Sequence, residues 1–309
     1  MSFGLYQMRR PGVAKEKRPE NPLGAIYILE HIHMKVAIIG TGRVGSTTAF
    51  CLVDNPEVTQ LLLVNKTKKI AEGLKHDLIG TYPEHGEKIE IANYEDANEA
   101  DIIVVTAGAF GAPSGSSLWE ANKPIIEEVF SKIKPKKNAK IIVTTTPCDR
   151  IAYLIWKLTS LDYKNILGFG GQLDVNRLKY LIATDTNNFS TSLQADFIGE
   201  HGKRGIPIFR ELVSNREKII KDTRNFFGTY LAEYNASTYG TAGELAKLVS
   251  ALMSHKEKTL TISYYEPKYE IFITWPCMVS KNAIKPTQLK LTSEEKTELD
   301  NLIKARKQE

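Results

Sequence analysis

Three cysteines in 309 residues, Cys51, Cys148 and Cys277, lie far apart in the chain. An odd, unclustered set supports neither a disulfide framework nor a zinc site and points to a reducing compartment. No apolar run approaches the length of a membrane span. Basic residues outnumber acidic ones by only 41 to 36, and the lysines are scattered among acids. No basic stripe with interleaved aromatics occurs, which argues against a nucleic-acid partner. One stretch lacks charge almost entirely: AGAFGAPSGSSLWEA, residues 107–121, has none before Glu120 in a chain that is 25% charged.

Residues 1–33 lack any pattern. MSFGLYQMRRPGVAKEKRPENPLG mixes Pro, Gly and both charge signs without periodicity, and reads as a flexible N-terminal extension. The run AIYIL is too short for a signal-peptide core, and Glu16, Glu20 and Glu30 do not suit a transit peptide, so a cytoplasmic location is expected. His31 and His33 flank Ile32 with no cysteine or third ligand nearby. They read as a strand-spaced pair, and no metal site is expected.

From Met34 onward a regular pattern begins. KVAIIG (35–40), LLLV (61–64), IEIANY (89–94), DIIVVTA (101–107) and KIIVTTT (140–146) are β-branched, apolar runs that read as buried strands. Between them, STTAFCLVDN, KKIAEGLKHDL (68–78) and PIIEEVFSKIKP (124–135) have helical character. Alternation of this kind predicts an α/β fold, a Rossmann-type doubly wound parallel sheet over 34–170. The pattern becomes mixed after Gly170, which predicts a second, α+β domain over 171–309 ending in a helix at 291–307. The start of that helix, Thr292-Ser293-Glu294-Glu295, has capping-box character.

Gly40-Thr41-Gly42-Arg43-Val44-Gly45 is a GxGxxG motif between the first strand and a helix. In that setting the first glycine permits the tight turn, the second lets a pyrophosphate approach the backbone, and the third lets helix and strand pack closely. The helix N-terminus supplies amide donors and positive dipole to the phosphates. The other reading is a tight turn without ligand. At the end of the second strand, where an acid would bind the adenine ribose, the chain has Asn65, followed by Lys66-Thr67-Lys68-Lys69. Asn65 can bond a ribose and does not repel a 2′-phosphate, so NAD or NADP is the expected cofactor. Lys68 and Lys69 either attract that phosphate or form the solvated first turn of the next helix.

Three further stretches, LGFGGQLDVNRLKYLI (167–182), FIGEHGKRGIP (197–207) and NASTYG (235–240), join KVAIIGTGRVGSTTAF and IAEGLKHDLIGTYP in a resemblance to the lactate/malate dehydrogenase family. It covers nearly all of 34–309, and GEHG placed after LDxxR is its specific part. The resemblance implies that His201 is the catalytic acid/base, that Asp174 orients it, and that Arg177 clamps the substrate carboxylate. It implies substrate-pocket roles for Thr146 and Thr238. Arg43, Val44 and Gly108, the last after the VTAG strand, join the glycines and Asn65 in cofactor binding. It implies a small 2-hydroxy or 2-oxo acid as partner and a homo-oligomer, dimer or tetramer. The second domain becomes the catalytic one.

The neutral stretch falls where this family has a mobile lid that usually carries two arginines; here Gly111 and Ser117 stand at those positions. Thr146 replaces the asparagine that usually precedes the proline. Three functions stay open: malate or lactate dehydrogenase, with malate favoured; a dehydrogenase for a bulkier or less charged 2-oxo acid; and a dinucleotide-binding sensor or assembly partner without turnover.

Overall fold

The computed structural model describes residues 34–109, 117–234 and 237–308. The readings that fall on residues 1–33, His31 and His33 among them, and on Gly111 lie outside the described residues.

The first half runs β1 (Met34–Ile39), α1 (Arg43–Val53), β2 (Val58–Val64), α2 (Lys68–Thr81), β3 (Ile89–Ala92), β4 (Ile102–Val105), α3 (Leu118–Lys132), β5 (Lys140–Val143), α4 (Cys148–Leu158) and β6 (Ile166–Gly168). The second runs α5 (Gly171–Thr186), β7 (Ala195–Ile198), β8 (Ile206–Phe209), α6 (Arg216–Arg224), a π-helical turn at Phe227–Leu231, α7 (Tyr239–Met253), β9 (Lys258–Glu266), β10 (Ile271–Val279), β11 (Ile284–Pro286) and α8 (Ser293–Lys307).

Strands β3-β2-β1-β4-β5-β6 form the parallel, doubly wound sheet expected from the sequence. Beyond β6 the sheet continues as β9-β10-β11 to give nine strands. These last strands are antiparallel, and β9 meets β6 at the single pair Ser263↔Gly168. Strands β7 and β8 make a separate hairpin sheet.

The sequence dictates the two layers. On β1, Val36 and Ile38 face one core with Ala49 and Leu52 of α1 and Leu245 and Leu248 of α7. Ala37 and Ile39 face the other core with Ile126 and Phe130 of α3 and Ile151 and Ile155 of α4. Both faces are buried, so the strand is apolar throughout rather than alternating.

Element boundaries moved where capping decides them. The helix read from Pro124 starts at Leu118, because Ser117 and Glu120 form a capping box that begins it six residues earlier, with Pro124 inside the helix. The first helix starts at Arg43, not in the STTAF run, since Gly42 already serves as its cap. The third strand ends at Ala92. At α8 the Thr292–Glu295 capping box forms as read: Thr292 Oγ1 accepts the Glu295 N–H at 3.2 Å, and Glu295 Oε2 accepts the Thr292 N–H at 2.9 Å.

Phe130 is 2% exposed and packs α3 onto the sheet. Phe130→Ala is expected to lower the unfolding free energy by about 3–5 kcal/mol, read from urea denaturation.

Candidate functional site

Gly40 closes β1 with φ +94, and a Cβ there would lie 2.7 Å from the backbone of Ala107. A Cβ on Gly45 would lie 1.9 Å from Gly40 O. These two glycines hold the β1–α1 turn against the end of β4, where Thr106 Oγ1 donates to Gly40 O at 2.5 Å. Gly42 differs, because a Cβ there would meet nothing within 4 Å. No side chain caps α1, so its first-turn amides face this open space. That combination fits an approaching pyrophosphate, with Arg43 and Val44 opening the helix.

Asn65 follows β2. Its Nδ2 donates to Thr41 Oγ1 at 2.8 Å and its Oδ1 accepts the Thr67 N–H at 2.9 Å. Lys68 and Lys69 form the exposed first turn of α2. A cavity of about 320 Å³ here is lined by Lys66, Lys68 and Lys132 against Glu95 and Glu128. Glu128 pairs with Lys66 at 3.1 Å and with Lys132 at 3.2 Å.

Across the sheet, Asp174 lies in the first turn of α5 and is 1% exposed. Its Oδ2 meets His201 Nδ1 at 2.6 Å and accepts the Gly202 N–H at 3.1 Å. Its Oδ1 accepts from Arg177 Nη1 at 3.3 Å, and Arg177 Nη2 donates to Ser237 Oγ at 2.9 Å. Ser237 adjoins the buried Thr238, which sits at the N-cap of α7. The His201 ring lies on the backbone of Gly170, where a Cβ would come within 2.3 Å of it. Sequence reasoning passed over this glycine.

His201 keeps 21% of its side chain exposed. Burial is the largest single influence on its proton and opposes the charged form, and Arg177 acts in the same direction. The charge and hydrogen bond of Asp174, with the charge of Asp149, outweigh both, so His201 holds its proton more tightly than an imidazole at the ordinary 6.5.

The structure brings His201 and Arg177 each into contact with Asp174. Gly40 follows β1, Gly108 follows β4, Thr146 follows β5 and Gly170 follows β6, so all four sit at the carboxyl edge of adjacent strands. β1 to β6 is three strand spacings, about 14 Å. Ser117, read as a lid position, also caps α3 by accepting the Glu120 N–H at 3.3 Å.

Two buried polar residues were missed. Asn122 is 2% exposed; it accepts the Ala109 N–H and donates to Thr146 O, both at 2.7 Å, and so ties the end of β4 to the end of β5. Its spacing of four and eight from Ile126 and Phe130 places a polar residue on an apolar helix stripe, a signal present in the sequence. Asp149, 1% exposed, sits in the first turn of α4, where an acid reads as routine.

A parallel sheet in this strand order, with a glycine-rich turn at the point where the order reverses, defines a dinucleotide-binding α/β protein. Residues 34–168 match the family model for the lactate/malate dehydrogenase NAD-binding domain, and 171–309 match that for its alpha/beta C-terminal domain. An L-lactate dehydrogenase of Priestia megaterium is 29% identical over 301 residues, covering 89% of this chain and 95% of the relative. Malate dehydrogenase from Aeropyrum pernix is similar in structure at a TM-score of 0.78 and 30% identity, covering 88% of this chain and 96% of that one. Malate dehydrogenase from Archaeoglobus fulgidus, solved in complex with NADH, gives a TM-score of 0.77 at 27% identity, covering 89% and 98%. The chain belongs to the lactate/malate dehydrogenase family, NAD-dependent oxidoreductases that act on the CH–OH group of 2-hydroxy acids.

Asn122→Ala removes the partner of the Ala109 N–H and of the Thr146 carbonyl, both part-buried bonds. The two losses together are expected to cost about 1–3 kcal/mol, read as a lower urea midpoint at unchanged m-value.

Proposed function

We propose that this protein is a reversible 2-hydroxyacid dehydrogenase in which His201 exchanges the proton. The bonded set of His201, Asp174 and Arg177 carries this reading. Asp174 occupies His201 Nδ1, which leaves Nε2 to give a proton to the substrate oxygen or take it back. The same carboxylate stabilises the imidazolium. Arg177 uses two donors within the protein, and its remaining N–H groups grip the substrate carboxylate. Thr146 and Thr238 line the substrate. Gly40, Gly42, Arg43, Val44, Gly45 and Gly108 hold the dinucleotide, with Asn65 at its ribose. The nicotinamide cofactor, when bound, supplies or accepts the hydride. In this reading the working form is a homodimer or homotetramer.

NAD and NADP bind with similar affinity in this reading, because Asn65 does not repel a 2′-phosphate and three lysines face two glutamates beside it. Fluorescence titration with both reduced cofactors tests this; a hundredfold preference for NADH, about 2.7 kcal/mol, overturns it.

The substrate side chain is the open part. Malate is the first candidate and lactate the second. A bulkier or less charged 2-oxo acid is the third; a cavity of about 560 Å³ beside Arg177 and Thr238 has apolar walls in Leu173 and Phe226 but also Glu244 and Lys247, and His201 does not line it. Neither Gly111 nor Ser117 supplies a cation, and loss of one donor to a developing oxyanion costs roughly a hundred- to a thousandfold in rate. Low kcat on oxaloacetate and pyruvate is therefore expected, with cofactor binding intact. Assays with NADH and NADPH on oxaloacetate, pyruvate and phenylpyruvate check this. Absence of turnover on every acid tested refutes the enzymatic reading, and ordinary dehydrogenase rates on oxaloacetate or pyruvate refute the effect of the neutral segment. Ser117→Arg is expected to raise kcat for at least one of these acids while losing about 1 kcal/mol of stability with the α3 cap.

Oxidation of the hydroxy acid needs neutral His201. Since His201 holds its proton more tightly than usual, kcat/KM in that direction is expected to fall with an acid limb centred above pH 6.5. A limb below that value would contradict the environment described for the imidazole.

A further inference from the structure

Asp174 is not the only buried carboxylate at His201. Asp149 is also 1% exposed and reaches the histidine from α4 rather than α5. Its Oδ2 accepts the backbone N–H of His201 at 3.3 Å, and its Oδ1 accepts the hydroxyl of Thr274 at 3.1 Å. Thr274 belongs to β10 and pairs through its backbone with Gly199, two residues before His201. Asp149 is the second residue of α4, so the helix N-terminus supports its charge. The neighbouring Cys148 Sγ lies 3.8 Å from Oδ2 and stays a thiol, since burial and the surrounding carboxylates push it well up.

We propose that Asp149 is a positioning residue for His201, fixing the histidine backbone between α4 and β10 and placing a second negative charge beside the histidine. Asp174 fixes the ring from α5, and Asp149 fixes the main chain that carries the ring. Gly170 leaves the ring little room to seat itself otherwise, being in contact with it. The charged groups facing His201 are Asp174 and Arg177 from α5 and Asp149 from α4; β10 contributes the neutral Thr274 hydroxyl. The two carboxylates favour the imidazolium and Arg177 disfavours it. This inference rests on reading His201 as the acid–base group.

Two variants separate charge from position. Asp149→Asn keeps the shape and can still accept the His201 N–H, while Thr274 turns its hydroxyl to accept from the new amide. Asp149→Ala removes both bonds. The imidazole of His201 is titrated by NMR in the full chain, assigned with His201→Asn, and kcat/KM is measured in parallel. The NMR titration reports on Asp149 even if no substrate turns over, so it can fail separately from the enzymatic reading. Asp149→Asn is expected to move the His201 titration, and any acid limb, to lower pH. Asp149→Ala is expected to cost on the order of a hundredfold in kcat/KM with NADH affinity unchanged, the scale of a misplacement near 1 Å. Should the Asp149 variants not fold, Thr274→Val, isosteric and suited to a strand, is expected to lower kcat/KM by a smaller factor. An Asp149→Asn titration superimposed on that of the parent, or unchanged kcat/KM in Asp149→Ala or Thr274→Val, overturns the proposal.

Discussion

The arrangement of the site depends on one carboxylate that has almost no contact with solvent. Asp174 is 1% exposed, and a charge in that position is tolerable only if donors surround it. It finds them in three places: the His201 ring, the Gly202 amide and the Arg177 guanidinium. Each is thereby held in a fixed orientation. Arg177 comes from the next turn of the same helix, while His201 and Gly202 come from a loop 27 and 28 residues away. The need to satisfy one buried charge therefore docks that loop onto α5 and orients the His201 and Arg177 side chains at once.

The two ends of the sheet edge are built by different means. Around Gly40–Gly45 the contacts are steric and backbone-derived: two close approaches, an open cradle and uncapped amides. Around His201 they are charged side chains in a confined space. Asn122 lies between the two, stitching Ala109 to Thr146 so that neighbouring strand ends keep their spacing.

Local physics made much of this legible in the sequence. β-Branched runs marked the parallel strands, and the Thr292–Glu295 box marked the start of α8. The glycine motif announced the tight turn that Gly40 and Gly45 form against the end of β4. Boundaries slipped where a cap outside the periodic stretch set the start, as Ser117 does for α3. Long-range partners were harder to see. Asp149 reaches residues 52 and 125 positions away, and nothing in PCDRI distinguishes it from any acid that opens a helix. Asn122 left a trace because it interrupts an apolar stripe. His201, Asp174 and Arg177 were found by likeness to a family, since spacing alone does not disclose that they touch.

The alternation of strand and helix has an electrical side. Helices α1, α2, α3, α4 and α5 each follow a parallel strand, so their N-termini all emerge along the same carboxyl edge of the sheet. Each terminus carries roughly half a positive charge. Together they bias the potential over that edge toward positive values without a single added lysine, and low-dielectric walls concentrate such a field. The ligands of this family are anions, a pyrophosphate and a carboxylate. The fold thus draws them toward the edge during diffusion, and the rate of their capture falls as ionic strength shortens the screening length.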